Sequence, residues 1–290
     1  MKAKRIEAIL SLTFILLLIF ACQQPSKKDS GSDVTESDSG KMKKTAGFED
    51  LFDSTSNSIP VFYNMYLTVE LSSLFEETEV AFNSDYINPD ANMTNYLTSY
   101  KKALNVGVYA VDLSYVKAFE EYEYAGKYFS AMHKLAEGLG IPDDFFYDAA
   151  KRFERNIANK DSLAYIANEI YNITDNYLKE NQRINTAGMI VIGGWLEAMY
   201  IACKIYKESN NNMIILDKIA DQKSSLPEII KLVDISNEKN EYILDLIKNL
   251  NQLKEPFSQL AVNLNNADAS GKYFNGMYNQ ISELRKEITK

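Results

Sequence analysis

From Asn95 to Leu139 the apolar and small residues step along the chain by three and four: Tyr96, Tyr100, Ala103, Gly107, Val111 and Ser114, continuing through Ala118, Tyr122, Ala125, Phe129, Met132, Ala136 and Leu139. That spacing follows one face of an α-helix, whose side chains return every 3.6 residues, and a strand would alternate by two instead. The pattern predicts one helical stripe of some 45 residues, roughly 65 Å long if unbroken, packed as in a bundle. No segment shows sustained alternation, and Gly and Pro are scarce throughout. The expected fold is therefore all-α, an antiparallel helical bundle of about seven to eight helices over residues 48–290. No internal repeat is evident, although the length also admits a helical-repeat architecture.

Punctuation supplies the other boundaries. Gly140-Ile141-Pro142-Asp143-Asp144 ends the long stripe and opens a short helix that stops near Ala158, since Pro and acids suit a first turn. Asp161 is a candidate N-cap for a helix from about Ser162 to Asn181. Further helices are expected from Asn185 to Glu208, Met213 to Gln222, Pro227 to about Val262 and Tyr273 to Thr289, with an earlier one from Ile59 to Phe82. Pro256 should kink or split the penultimate one, because proline removes a backbone donor and clashes with the preceding turn.

The first residues carry a different message. Met1-Lys2-Ala3-Lys4-Arg5 is followed by an uncharged run from Ala8 to Phe20 and then Ala21-Cys22, the order of a secretory signal rather than of a spanning helix. Ile19-Phe20-Ala21-Cys22 resembles a bacterial lipobox, which implies cleavage after residue 21 and acylation of Cys22. Acyl chains gain about 0.8 kcal/mol per buried CH₂, so several of them anchor a protein almost permanently. Residues 23–46 hold only one Val, one Met and one Ala as apolar members, too little to offset chain entropy, so 22–47 is expected to be a lipidated, disordered tether.

Charge and cysteine use narrow the function classes. Lys2, Lys4 and Arg5 against Glu7 leave residues 1–21 at +2, so their removal takes the chain from −9 to about −11. An acidic chain of this kind offers no electrostatic footprint for nucleic acid. Cys22 and Cys203 are the only cysteines, and lipidation of the first leaves no pair for a disulfide. His133 is the single histidine, which excludes a two-His metal site and a paired Glu-x-x-His di-iron centre. No Gly-rich phosphate loop, dinucleotide fingerprint or nucleophile elbow is present. No cofactor is expected, and catalysis would fall to carboxylates, Tyr and Lys.

Two acids stand out against this background. Val191-Ile192-Gly193-Gly194-Trp195-Leu196-Glu197-Ala198-Met199-Tyr200-Ile201-Ala202-Cys203 carries one charge, Glu197, which leans back over the Gly193-Gly194 pair. Each mid-helix Gly costs about 1 kcal/mol against Ala, so the pair implies a notch that something needs. Either a helix packs there, with Glu197 bonded to a Tyr hydroxyl, an Asn or a Lys, or a ligand does. In Ala103-Leu104-Asn105-Val106-Gly107-Val108-Tyr109-Ala110-Val111-Asp112-Leu113-Ser114-Tyr115, Asp112 is the only charge between Lys102 and Lys117. Burying a lone carboxylate is costly, so each acid should be paired, hydrogen-bonded or protonated, and two that face each other would share a proton. The candidate binding residues are Asp112, Glu197, Trp195, Tyr109, Gly193 and Gly194, with Tyr115 as a further wall; no catalytic or metal-ligating set is assigned.

These two stretches, together with Asn156-Ile157-Ala158-Asn159-Lys160-Asp161-Ser162, resemble a family of uncharacterised helical lipoproteins of Bacteroidetes-type bacteria over most of residues 55–205. The resemblance implies a helical fold, a lipid anchor and an envelope location, and it marks Asn105, Gly107, Tyr109, Asp112, Asn156, Gly194, Trp195 and Glu197 as motif residues. It implies no ligand and no activity. Gln23 after Cys22 fits outer-membrane sorting, and the periplasmic face is expected. The leading expectation is a lipid-anchored, non-enzymatic interaction or scaffold module with a protein partner in the envelope. The alternative is a small-molecule binding or sensing protein with a cavity near Asp112 and Glu197, and an enzyme built on that pair is a third.

Overall fold

Eight α-helices and no strand occur among the residues that the computed structural model describes, 80–142, 151–152, 155, 180–181, 183–234 and 240–290. They are α1 (Ser99–Ala118), α2 (Tyr122–Glu137), α3 (Ile184–Glu208), α4 (Met213–Asp221), α5 (Ser225–Asp234), α6 (Glu241–Gln252), α7 (Lys254–Val262) and α8 (Ala267–Ile288). Two 3₁₀ turns, Ser84–Tyr86 and Asp90–Asn95, form a strap that leads into α1. The all-α helical bundle expected from the residue spacing is what these elements build. Residues 59–79 of the helix expected from Ile59 to Phe82, residues 162–179 of the one expected from Ser162 to Asn181, and most of the one before Ala158 lie outside the described residues; Val80, Ala81 and Phe82 are irregular.

The continuous helix expected over 95–139 does not form. α1 starts only at Ser99, where the Thr98 hydroxyl accepts from the Lys101 amide. It ends at Ala118, and α2 folds back on it so that the Tyr109 and Tyr128 rings meet edge to face. The break is a helix-ending loop in which Glu121 N–H donates to Val116 O and Glu120 N–H to Lys117 O, the double closure of a Schellman motif. Glu120 occupies its left-handed position at φ 61°. Gly or Asn normally marks that site, since other residues pay roughly 1–2 kcal/mol there, so the sequence carried no stop signal. The hairpin keeps the predicted stripe on both arms, because the residues that face inward before the turn also face inward after it. The stop at the other end did carry its signal, with Gly140 at φ 73° and Ile141 N–H closing on Ala136 O.

The penultimate helix is split near Pro256, as expected, and it is also broken before Glu241. The helix expected from Pro227 to Val262 is three helices, with a break at Leu253 between α6 and α7. Pro256 falls in the first turn of α7, where a missing N–H leaves no bond unmade. α8 begins six residues earlier than Tyr273, capped by Asn266, whose side chain accepts from Ala269 N–H.

α3 is the central element. Every residue from Ala187 to Met199 is buried, and although its length and composition would suit a membrane span, its surface is consumed inside the bundle. Its closest neighbour is α1. A Cβ on Gly193 would sit 1.8 Å from Leu104 O, and one on Gly107 would sit 2.0 Å from Ile190 O and 2.6 Å from Gly194 N. The two backbones therefore touch, and only glycine at these positions permits it. On the other face of α3, Gly188 backs onto the carbonyl of Leu232 in α5.

This contact sets a graded expectation for alanine. Gly193→Ala should cost about 3 kcal/mol or more, the upper end of overpacking penalties, because backbone rather than a flexible side chain is displaced. Gly276→Ala, in exposed α8 with nothing near the added carbon, should stabilise by about 0.5–1 kcal/mol. Denaturant unfolding of the two variants beside the parent measures both; a neutral Gly193→Ala would refute the backbone contact.

Candidate functional site

The glycine crossing carries both predicted acids inward. Contacts advance along α1 and α3 in the same direction, from Leu104 and Gly107 against Gly193 and Gly194 to Asp112 against Glu197. Both carboxyl groups are fully buried, at 0 % exposure, and within hydrogen-bonding reach of each other. The notch behind the Gly pair is filled by the backbone of α1 rather than by open space.

The partner of Glu197 is not a Tyr, an Asn or a Lys, as the sequence suggested, but Arg285 from the last turns of α8. Arg285 Nε donates to Glu197 Oε2 at 2.7 Å and Nη2 donates to Oε1 at 2.6 Å. The same Nη2 donates to Tyr86 O at 3.2 Å, and the guanidinium lies 4.2 Å from the Tyr200 ring centre. Arg suits this place because its planar fork matches both carboxylate oxygens and its flat face stacks on an aromatic ring. Burial works against its charge, but the adjacent Glu197 more than compensates and holds the guanidinium charged beyond its ordinary range. One side chain thus ties α8, α3 and the strap together.

Asp112 is held differently. Its Oδ2 accepts from the Asn88 backbone N–H at 3.1 Å, while its Oδ1 is buried with no donor. Burial, and then the charge of Glu197, push the Asp112 carboxyl well above the usual range, with Arg285 and the Asn88 amide pulling the other way. Around it, Tyr109 donates its hydroxyl to Pro89 O at 2.9 Å, so that predicted wall residue fastens the strap. Tyr115 is further along, where its hydroxyl accepts from Asn83 N–H at 3.0 Å.

Trp195 stands apart from the acids. It is two residues before Glu197, hence on a different face of α3, and its Nε1 donates to Gln222 Oε1 at 3.3 Å while its ring packs 5.8 Å from Phe257. It is a core residue between α3, α7 and the end of α4. Cys203 is buried, and burial raises its thiol far from a reactive thiolate range. Among the described residues no cluster of three or more His, Cys, Asp or Glu side chains is placed to hold a metal ion. Cys22 and Asn156 lie outside the described residues.

Asn105, a motif residue, has a structural task. Its Nδ2 donates to Ile288 O at 2.8 Å and to Lys101 O at 2.9 Å. Tyr96 donates to Thr289 O at 3.1 Å, and Lys101 Nζ to Lys290 O at 2.9 Å. The last carbonyls of a helix have no partner within it, so α1 and its strap cap the end of α8. What the arrangement does chemically is join segments: its charged and amide groups bond strap, α1, α3 and α8 to one another.

Truncations should rank accordingly. Glu197→Gln retains a hydrogen-bond acceptor for Arg285, whereas Glu197→Leu strands a buried guanidinium, and breaking such a pair by removing one partner costs about 3–5 kcal/mol. Thermal melts should place Glu197→Gln nearer the parent; the reverse order would mean that the carboxylate is strained rather than structural.

Compared with protein-family models, curated proteins and solved structures, the chain matches none of them.

Proposed function

We propose that the chain is a lipid-anchored cell-envelope protein whose helical bundle is a non-enzymatic interaction or scaffold module, tethered through Cys22 to the periplasmic face of a bacterial outer membrane. The observation that carries the non-enzymatic part is the use made of the buried polar groups. Both oxygens of Glu197 are spent on Arg285, one oxygen of Asp112 on Asn88, and the amide nitrogen of Asn105 on the end of α8. A catalytic or sensing centre needs acids that face a space where a ligand can lie, and here the backbone of α1 fills the glycine notch.

The anchoring part is supported by the order of residues 1–22, a basic start, an apolar run and Ala21-Cys22. A polar tether that follows lets a folded body stand away from the lipid surface and meet a protein partner. The acidic balance of the chain, −9 before any processing, disfavours nucleic acid and anionic headgroups as that partner.

Two measurements on the protein extracted from native membranes test this. Intact mass is expected to correspond to a chain that begins at Cys22 and carries acyl groups, and Cys22→Ser is expected to leave the membrane fraction; an unmodified Cys22 refutes the anchor. Co-purification is expected to yield a stoichiometric protein partner. A small molecule bound in its place would favour the ligand-binding alternative.

A further inference from the structure

The unsatisfied oxygen of Asp112 is the most informative atom in the core. Oδ1 is buried and receives no donor, its sister Oδ2 takes the Asn88 N–H, and the Glu197 carboxylate is within hydrogen-bonding reach of the group. Both oxygens of Glu197 are already taken up by the Arg285 fork. With Asp112 ionised, the centre would hold two carboxylates against one guanidinium, an uncompensated negative charge at 0 % exposure, beside an acceptor with nothing to accept. A single proton on Oδ1 removes both defects, because the contact between two acceptors becomes an O–H···O⁻ hydrogen bond and the triad becomes neutral.

We propose that this centre is a proton-binding site: Asp112 is a carboxylic acid that donates from Oδ1 to Glu197, and the proton acts as a latch that keeps the strap and α8 on the α1–α3 pair. The geometry gives the latch its reach. Asp112 holds the strap through Asn88 N–H, and Arg285 holds it through Tyr86 O while joining α8 to α3. Loss of the proton sets Asp112 against Glu197 and so loads every one of these ties.

Several tyrosine hydroxyls that pack around the centre are pushed further from this range. From α1 and α2, Tyr109 and Tyr128 have their hydroxyls raised by burial, with Asp112 adding to it. From the strap, Tyr96 and Tyr86 are raised by burial as well. From α3, Tyr200 lies against the Arg285 guanidinium and Lys204 over the Tyr86 and Tyr200 rings, and from α8 Arg285 stays charged. A titration of stability between weakly acidic and weakly basic pH that disappears with Asp112 is therefore assigned to the shared proton.

The sign follows from linkage. The folded carboxyl is raised above its ordinary value of 3.8, so across the window from there to the folded value the native state holds a proton that the unfolded chain has released. Asp112 therefore contributes most at low pH, and its contribution is lost as pH rises through that window, by up to about tenfold per pH unit in the unfolding equilibrium constant. The test is denaturant unfolding of the full-length chain in detergent from pH 5 to 9, beside Asp112→Asn, an isostere of the protonated acid that does not titrate. The ratio of the parent's unfolding constant to that of Asp112→Asn should rise with pH, approaching tenfold per unit; parallel profiles overturn the proposal. Infrared spectra of the parent at pH 7 add a readout that does not need the variant to fold: the C=O band of a protonated, solvent-shielded carboxylic acid is expected, and its absence overturns the proposal. Neither result depends on the anchor or on a partner, so this inference and the functional reading can fail separately.

Discussion

The backbone contact between α1 and α3 sets the distance on which everything else in the core depends. Two helices whose surfaces carry ordinary side chains pack at 8–10 Å between axes. Glycines at 107 and 193 let these two come closer, to the point where an added methyl would overlap a carbonyl. At that distance side chains that leave the crossing have nowhere to go but toward each other, and Asp112 meets Glu197. The glycine pair and the buried acid in the α3 sequence are thus one device: removal of side-chain bulk creates the contact, and the contact makes the charge need a partner.

Arg285 answers that need from far along the chain. It is 88 residues from Glu197 and reaches the site from the end of α8, where Asn105, Tyr96 and Lys101 cap the terminal carbonyls. A buried ion pair adds little net stability compared with an apolar replacement, since desolvation offsets most of the attraction. What it supplies is selectivity: a misplaced α8 would leave a guanidinium and a carboxylate buried without partners. The same logic covers the caps, because helix-end carbonyls bury safely only where donors await them. In this core the polar groups choose one arrangement among the many that hydrophobic burial would accept.

The sequence made the helical class, the α3 boundaries and the two acids visible, because each rests on local information: periodicity, caps, and a charge in an apolar run. It hid the turn at Glu120, since that loop uses the hydrogen-bond closure of a Schellman motif without its glycine. It also hid the true partner of Glu197. A signal for Arg285 did exist. Every other cation after residue 183 is a Lys, and Arg285 follows Phe274, Tyr278 and Ile281 at helical spacing on the stripe of α8. An Arg on an apolar stripe, in a stretch that otherwise uses Lys, asks for a planar acceptor, and two buried acids were waiting for a donor. Trp195 misled for the opposite reason. Sequence proximity to Glu197 suggested a shared site, but two residues along a helix turn the side chain by about 200°, and the indole faces Gln222 and Phe257 instead.

The remaining asymmetry is between two acids and one base. A core built only for stability would match them or replace the spare acid with an amide, and Asn at position 112 would satisfy Glu197 as a donor and Asn88 as an acceptor without any dependence on pH. The spare acid makes the tie between strap, α8 and the central helices conditional on a proton. That condition is imposed at the point where three segments converge, so the energy of one titration is felt by all of them together rather than by a single side chain.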